Sequence, residues 1–216
     1  NQTFDNFEFI IINDGSTDDT LGILDSFART DSRIKLISRG NQGLVPSLNE
    51  GLTHCSGEYV ARMDGDDISH RSRLEVQKAF LDSNPEYVAV GTGWVDVDAE
   101  GDPLSFPSNI VYRHDDIDRH HLEGFPIIRH PSAMIRTSEL QNLGGYSDVN
   151  YAEDLDLWLR LAEVGKLCNL HETLLQYRVL TNSFTFQHSN FDVMNEIVRK
   201  AYARRGLQGE PRKRVK

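Results

Sequence analysis

One pattern recurs through the first half of this sequence: a short β-branched or aromatic run, a polar loop, then a segment of helical period. Phe7 to Asn13 is rich in Phe and Ile and stops at Asp14-Gly15-Ser16, as a buried parallel strand ending in a loop would. Asp18 to Thr30 follows, with Leu21, Leu24, Phe27 and Ala28 on one helical face and Thr17 or Asp18 available as a cap. Ile34 to Ser38 is a second strand, Asn41-Gln42-Gly43 a turn, and Leu44 to Thr53 a helix that tolerates Pro46 in its first turn. Tyr59 to Met63 is a third strand and ends in Asp64-Gly65-Asp66-Asp67; Arg71 to Ser83 is helical and stops before Pro85. Strand–helix repetition predicts an α/β fold with a doubly wound, mostly parallel sheet flanked by helices.

The second half is less regular. Strands are expected at Tyr87 to Val97, Ser132 to Arg136 and Leu174 to Val179. Helices are expected at Asp115 to Glu123, at Glu153 to Val164 with Gly165 as its stop, and at Phe191 to Arg205. A basic tail, Arg212-Lys213-Arg214-Val215-Lys216, follows. No repeat, low-complexity segment or linker interrupts the 216 residues, which suits a single domain. The longest apolar run, Phe9 to Ile12, is far short of the ~18 residues a membrane-spanning helix needs, and no signal peptide opens the sequence. A formal charge of −10 argues against a nucleic-acid partner. Cys55 and Cys168 have no metal-binding spacing and read as reduced core or near-core residues, which fits the cytoplasm.

In open parallel sheets, ligands bind at the carboxyl ends of strands, and two of the first three strands end in acidic, Gly-containing loops. Carboxylates two apart on an extended segment point the same way, so Asp64 and Asp66 can reach one ligand, and Gly65 lets backbone come close. Oxygen-only ligands suit Mg²⁺ or Mn²⁺; a calcium loop does not fit the spacing. The alternative is an acidic turn that caps the next helix. A third cluster, Glu153-Asp154-Leu155-Asp156, opens a helix. It reads either as carboxylates favoured by the helix dipole or as a general base near the same sheet edge.

The run from Ile12 to Thr20 resembles the nucleotide loop of the family 2 glycosyltransferases, inverting enzymes of GT-A fold. Gly57 to Asp67 resembles their strand and metal-binding Asp-x-Asp motif, and Ala152 to Arg160 their Glu-Asp motif. Asn41-Gln42-Gly43 with Leu48-Asn49-Glu50-Gly51, His130-Pro131-Ser132 and Tyr177-Arg178 also fit. The resemblance extends from about Asn1 to about Ser183. It implies a nucleotide-sugar-binding half (1–97), an acceptor-binding and catalytic half (98–183), and a C-terminal helix with a basic tail (184–216).

By this resemblance, Asp14, Gly15, Ser16, Arg62 and Asp64 bind nucleotide, with Asp14 on the base and Asp64 by the ribose or diphosphate. Asp64 and Asp66 hold Mn²⁺ or Mg²⁺. Asp154 is the base that deprotonates the acceptor hydroxyl, with Glu153 and Asp156 as competitors. Glu153 and Trp158 are the candidates for the acceptor side, although Trp158 shares a helical face with Leu155, Leu159 and Ala162 and reads more readily as core. The partners implied are a nucleotide-sugar donor, with a UDP-sugar favoured, and a glycan or lipid-linked acceptor. Polysaccharide or cell-envelope synthesis is the expected setting. The basic tail would give peripheral contact at the inner face of the membrane.

Two features depart from the family pattern. Members usually begin with a strand and helix before the segment equivalent to Asn1-Gln2-Thr3. Many also carry a His two residues after the equivalent of Arg178, where this chain has Leu180; the contact is then either lost or supplied by His188, which otherwise reads as an ordinary surface histidine. Two rival functions stand beside the resemblance. A sugar-phosphate nucleotidyltransferase would want a Gly-rich basic phosphate loop, whereas Asp14-Gly15-Ser16-Thr17 is acidic. A non-catalytic sugar- or nucleotide-binding domain would keep the pocket without turnover.

Overall fold

The computed structural model describes residues 1–107, 110–149, 151–180 and 190–208. In chain order its first half comprises β1 (Phe9–Asp14), α1 (Thr20–Ala28), β2 (Ile34–Arg39), α2 (Leu44–Thr53), β3 (Tyr59–Ala61), β4 (Ile68–Ser69) and α3 (Arg73–Ser83). The second half comprises β5 (Tyr87–Val97), β6 (Pro103–Ser105), α4 (His114–Leu122), a 3-10 turn (His130–Ser132), β7 (Met134–Arg136), α5 (Thr137–Asn142), α6 (Glu153–Leu161), β8 (Lys166–Arg178) and α7 (Phe191–Arg205).

The strands form two sheets. β1 and β2 pair in parallel, Phe9 opposite Ile34 through Asp14 opposite Arg39. The larger sheet runs β3-β7-β5-β8-β4, with β6 on β5. Its long central pair, β5 and β8, is parallel; β7 is antiparallel to both β3 and β5, β4 to β8, and β6 to β5. The α/β architecture is as expected, and the parallel expectation holds for β1·β2 and β5·β8. The antiparallel members are short. β4 follows β3 after six residues, too few for the dozen or so that a parallel crossover needs.

β3, β5 and β8 therefore point the same way, so the Asp64 loop, Trp94 and Tyr177-Arg178 all lie toward their carboxyl ends. β8 is much longer than the stretch expected from Leu174, because Lys166 to Thr173 alternates too irregularly to read as a strand. Register shifts around Gly91 and Gly93 let β5 follow it.

Leu157, Trp158 and Leu161 of α6 pack on Val88, Ala89, Ile135 and Leu167 of the sheet. The opposite face of α6, Leu155 and Leu159, packs on Met194, Ile197 and Val198 of α7. Burying each such side chain contributes about 1.5–3 kcal/mol, so α6 is held from both sides. Leu81 of α3 with Val90, Met134 and Cys168 makes a third cluster. Cys168 is buried and Cys55 partly so, both unpaired. No helix among the described residues is long and apolar enough to cross a membrane. His188, the basic tail and the segment around Ser183 lie outside the described residues.

Candidate active site

The strand β3 stops at Ala61, and Gly65 and Asp66 form a turn. The chain is therefore not extended through Asp64 and Asp66; the turn, not strand alternation, gathers their carboxylates. It also brings in Asp67, which sequence reasoning left out. One oxygen from each of Asp64, Asp66 and Asp67 lies within 4.8 Å of the others. Asp67 Oδ1 accepts the backbone N–H of Arg178 at 2.8 Å, while its buried Oδ2 has no hydrogen-bond partner among the described residues. Burial, with Asp64 and Asp66 nearby, pushes the Asp67 carboxyl up to about 6. An all-oxygen cluster with an orphaned buried oxygen fits a hard divalent cation such as Mg²⁺ or Mn²⁺.

Two buried arginines frame this loop. Arg62 ion-pairs with Asp64, its backbone N–H bonds to Ala133, and its Nε has no hydrogen-bond partner among the described residues. Burial opposes its charge, but Asp64, Tyr146 and Glu153 outweigh that and raise its pKa. Arg73 donates to the carbonyls of Arg62 and Ala133 at 2.8 and 3.0 Å and to Gln77 Oε1. Gln77 in turn donates to the carbonyls of Val90 and Ser132. This buried pair on α3 ties the loop to β5 and to the 3-10 turn that leads into β7. From above, Arg178 donates to the carbonyls of Asp66, Asp98 and Ala99 at 2.8, 2.6 and 2.5 Å. Leu180 lies beyond this clamp, which anchors the loop without any histidine at that position.

The Glu-Asp segment starts α6. Ala152, its N-cap, is the sole non-glycine residue with positive φ (+58°) among those described, a conformation costing about 1–2 kcal/mol. Asp154 keeps a part-exposed surface, yet protein crowds it closely. Burial, then the Glu153 charge, pushes its carboxyl up to about 7, although Leu155 N–H and Arg62 pull the other way. Oδ1 accepts that Leu155 N–H at 2.8 Å. Burial also raises Glu153, against the pull of Arg62. His130 Nδ1 lies 3.8 Å from Glu153 Oε1, and its Nε2 lies 2.8 Å from the Tyr146 hydroxyl. Arg62 is thus the cation shared by Asp64, Glu153, Asp154 and Tyr146.

Two expectations change here. Trp158 has no exposed surface and packs edge-on against His130, with ring centroids 5.9 Å apart, so it is core and cannot touch an acceptor. Asp156 is no rival base: its Oδ2 accepts Arg160 Nε at 2.8 Å, and Arg160 also ties down the carbonyls of Leu143 and Gly145.

The Asp14 loop forms its own cluster. Asp14 accepts the N–H groups of Gln42 and Gly43 at 2.9 and 2.8 Å and ion-pairs with Arg39, which also bonds Glu50 and Ser47. Gly15 has φ +79°, and a Cβ there would lie 2.6 Å from the backbone N of Asn41, so only glycine fits. Ser16 is exposed. Among the described residues, no hydrogen bond or ion pair joins this loop to the Asp64 cluster. The two halves meet elsewhere: Asn49 on α2 donates to the Tyr146 carbonyl and accepts its N–H, at 2.9 and 2.8 Å.

Comparison with known proteins accords with this geometry. A family model described as Glycosyl transferase family 2 matches residues 1–144. EpsE of Bacillus subtilis (strain 168), a protein assigned as a glycosyltransferase, is 37% identical over 208 residues, 91% of this chain and 71% of its own length. The O-antigen biosynthesis glycosyltransferase WbnJ of Escherichia coli is 32% identical over 85% of this chain and 72% of its own. An uncharacterized glycosyltransferase of Haemophilus influenzae (strain ATCC 51907 / DSM 11121 / KW20 / Rd) is 35% identical, and the chain spans 65% of its length.

Among solved structures, S. aureus TarS 1-349 in complex with UDP-GlcNAc superposes with a TM-score of 0.73 at 20% identity, over 94% of this chain and 59% of that one. The mannosyltransferase PcManGT of Pyrobaculum calidifontis, in complex with GDP-Man and Mn²⁺, gives 0.66 at 20% identity, over 98% and 59%. These likenesses identify the fold as GT-A. With the family model covering most of the sequence and relatives above 30% identity matching nearly all of it, the chain belongs to glycosyl transferase family 2.

Proposed function

We propose that this chain moves a sugar from a nucleotide-sugar donor, a UDP-sugar by preference, to an acceptor hydroxyl, with a divalent metal and with inversion at the anomeric carbon. The carrying observation is the convergence of Asp64, Asp66 and Asp67, with Arg62 the buried cation that pairs with Asp64 and is also felt by Glu153 and Asp154. The complexes of TarS with UDP-GlcNAc and of PcManGT with GDP-Man and Mn²⁺ support the donor class and the metal. Relatives named for amylovoran and O-antigen biosynthesis support a polysaccharide or envelope acceptor.

In this reading Asp64, Asp66 and Asp67 would hold the ion, which when bound neutralises charge on the departing diphosphate. Arg62 ion-pairs with Asp64, balances the carboxylates and has no hydrogen-bond partner on Nε among the described residues. Asp154 acts as general base. Leu155 occupies Oδ1 and leaves Oδ2 to take the acceptor proton. A base raised to about 7 is matched to neutral pH, and such catalysis is worth about 10²–10⁴-fold. His130 and Tyr146 brace Glu153 beside it. The acceptor attacks opposite the leaving group in a single displacement, so configuration inverts.

Calorimetric titration of UDP, GDP and dTDP, each with and without Mn²⁺, tests the donor site. Metal-dependent binding of one of them, with UDP expected, is the supporting outcome. Binding of all three without metal dependence would overturn the metal assignment.

A further inference from the structure

We propose that Arg129 is a phosphate-binding residue of this site, taking either the donor's terminal phosphate or a phosphate carried by the acceptor. The inference rests on the donor-site reading above and adds a residue that neither the motifs nor the mechanism uses.

Arg129 precedes the 3-10 turn and reaches across the carboxyl ends of β5 and β8. Its guanidinium lies 4.9 Å from the Trp94 ring centroid and 4.8 Å from that of Tyr177, held by the negative faces of both rings. The rings are themselves fixed. Trp94 Nε1 donates to Asp96 Oδ1 at 3.1 Å, and Asp96 Oδ2 accepts from Ser105 at 2.7 Å. Tyr177 lies in the β5·β8 ladder opposite Asp96.

The ring of Tyr177 stands where the acidic loop is felt. Burial raises its hydroxyl pKa, Arg129 lowers it, and Asp67, Asp64 and Asp66 add to the rise. Tyr177 is next in sequence to Arg178, whose backbone N–H Asp67 Oδ1 accepts at 2.8 Å, so the ring that holds Arg129 adjoins the carboxylate loop. Yet among the described residues the Arg129 guanidinium forms no hydrogen bond and no ion pair, and the residue remains partly exposed. A cation placed there to neutralise the loop would pair with it. That task already falls to Arg62, paired with Asp64, while Arg178 fastens the backbone. Arg129 instead keeps its N–H donors unused on a side chain whose position two rings have set in advance. A flat guanidinium fork of this kind matches phosphate oxygens two at a time. Pre-positioning removes much of the ordering cost of the contact.

The test uses the whole chain and calorimetry with Mn²⁺ present. The probes are the nucleoside diphosphate that wild type binds, its monophosphate, and glycerol phosphate titrated into the nucleotide-saturated protein. Thermal melts check that Arg129→Gln and Arg129→Lys remain folded. If the donor supplies the phosphate, Arg129→Gln weakens diphosphate binding about tenfold or more and leaves the monophosphate unchanged. If the acceptor supplies it, nucleotide affinities stay level, and glycerol phosphate binds wild type but not the variant. Arg129→Lys, which keeps the charge and loses the fork, falls between wild type and Gln, and reads the same affinities should the Gln variant fail to fold. Unchanged diphosphate binding, with glycerol phosphate binding both proteins alike or neither, overturns the assignment of Arg129 alone. A wild type that binds no nucleotide overturns the donor-site reading and Arg129 with it.

Discussion

Asp154 answers two demands that oppose each other. Crowding that lifts its carboxyl to about 7 suits a base at neutral pH, but it also makes the charged form costly to the folded state. The folded pKa lies above the unfolded value of about 3.9. The neutral acid therefore stabilises the fold fully below about pH 4, and that contribution is lost as pH rises through about 7. Asp154→Asn should lose turnover by about 10²–10⁴-fold. It should also gain stability relative to wild type between pH 4 and 8, as thermal melts across that range would show. A variant equally stable relative to wild type at both ends would contradict the burial argument. At this scale the sequence was partly readable. Asp64 and Asp66 stand in one short motif whose carboxylates the turn brings together with Asp67, and Asp154 stands in a second motif that opens α6. Arg73 and Gln77 went unmarked, and Asp67 and Arg178 stood in motifs without a role, because what they do depends on a turn and on backbone carbonyls distant in sequence. Trp158 was ambiguous because a helix opening with acidic residues and carrying an aromatic reads the same whether that aromatic faces ligand or core.

Elements were most legible where period and punctuation agree. α2, β5 and α7 begin and end where their apolar patterns and flanking Gly, Pro or polar residues place them. α5, β4 and β6 are two to six residues long and carry too few positions to show any period. The first half of β8 was hidden because its pairing with β5 is interrupted, and Gly91 sits at one of those interruptions. A Cβ at Gly91 would lie 2.1 Å from Asn169 Oδ1 and 2.9 Å from Ile128 Cγ2. Asn169 is itself held by Nδ2 to the Val111 carbonyl at 2.8 Å, so it cannot step aside freely. Gly91→Ala should therefore destabilise the protein by about 1–3 kcal/mol, as overpacked cores generally do. Urea unfolding checks this; a change below about 0.5 kcal/mol would mean that the β5·β8 seam can spread.

For the whole molecule, order is unevenly spread. The six-stranded sheet is gripped by α3 on one cluster and by α6 with α7 on others. The β1·β2 sheet has one buried residue in its two strands, Asn13, and α1 has none; Leu21, Ile23 and Phe27 are all exposed. Few buried contacts mean a low free energy of local opening. Amide hydrogen exchange should therefore be faster through β1 and β2 than through β5 and β8. Equal protection would show that the molecule opens only as a unit. The fold class was readable because β1, α1, β2 and α2 repeat so plainly, whereas the division into two sheets depends on long-range pairing that no local pattern encodes. That division also decides which spectroscopic signal can see what. The chain has two tryptophans, Trp94 on β5 and Trp158 on α6, and both belong to the larger body. Intrinsic fluorescence will follow the melting of that body, and the β1·β2 sheet that carries the Asp14 loop can open beforehand without changing the emission.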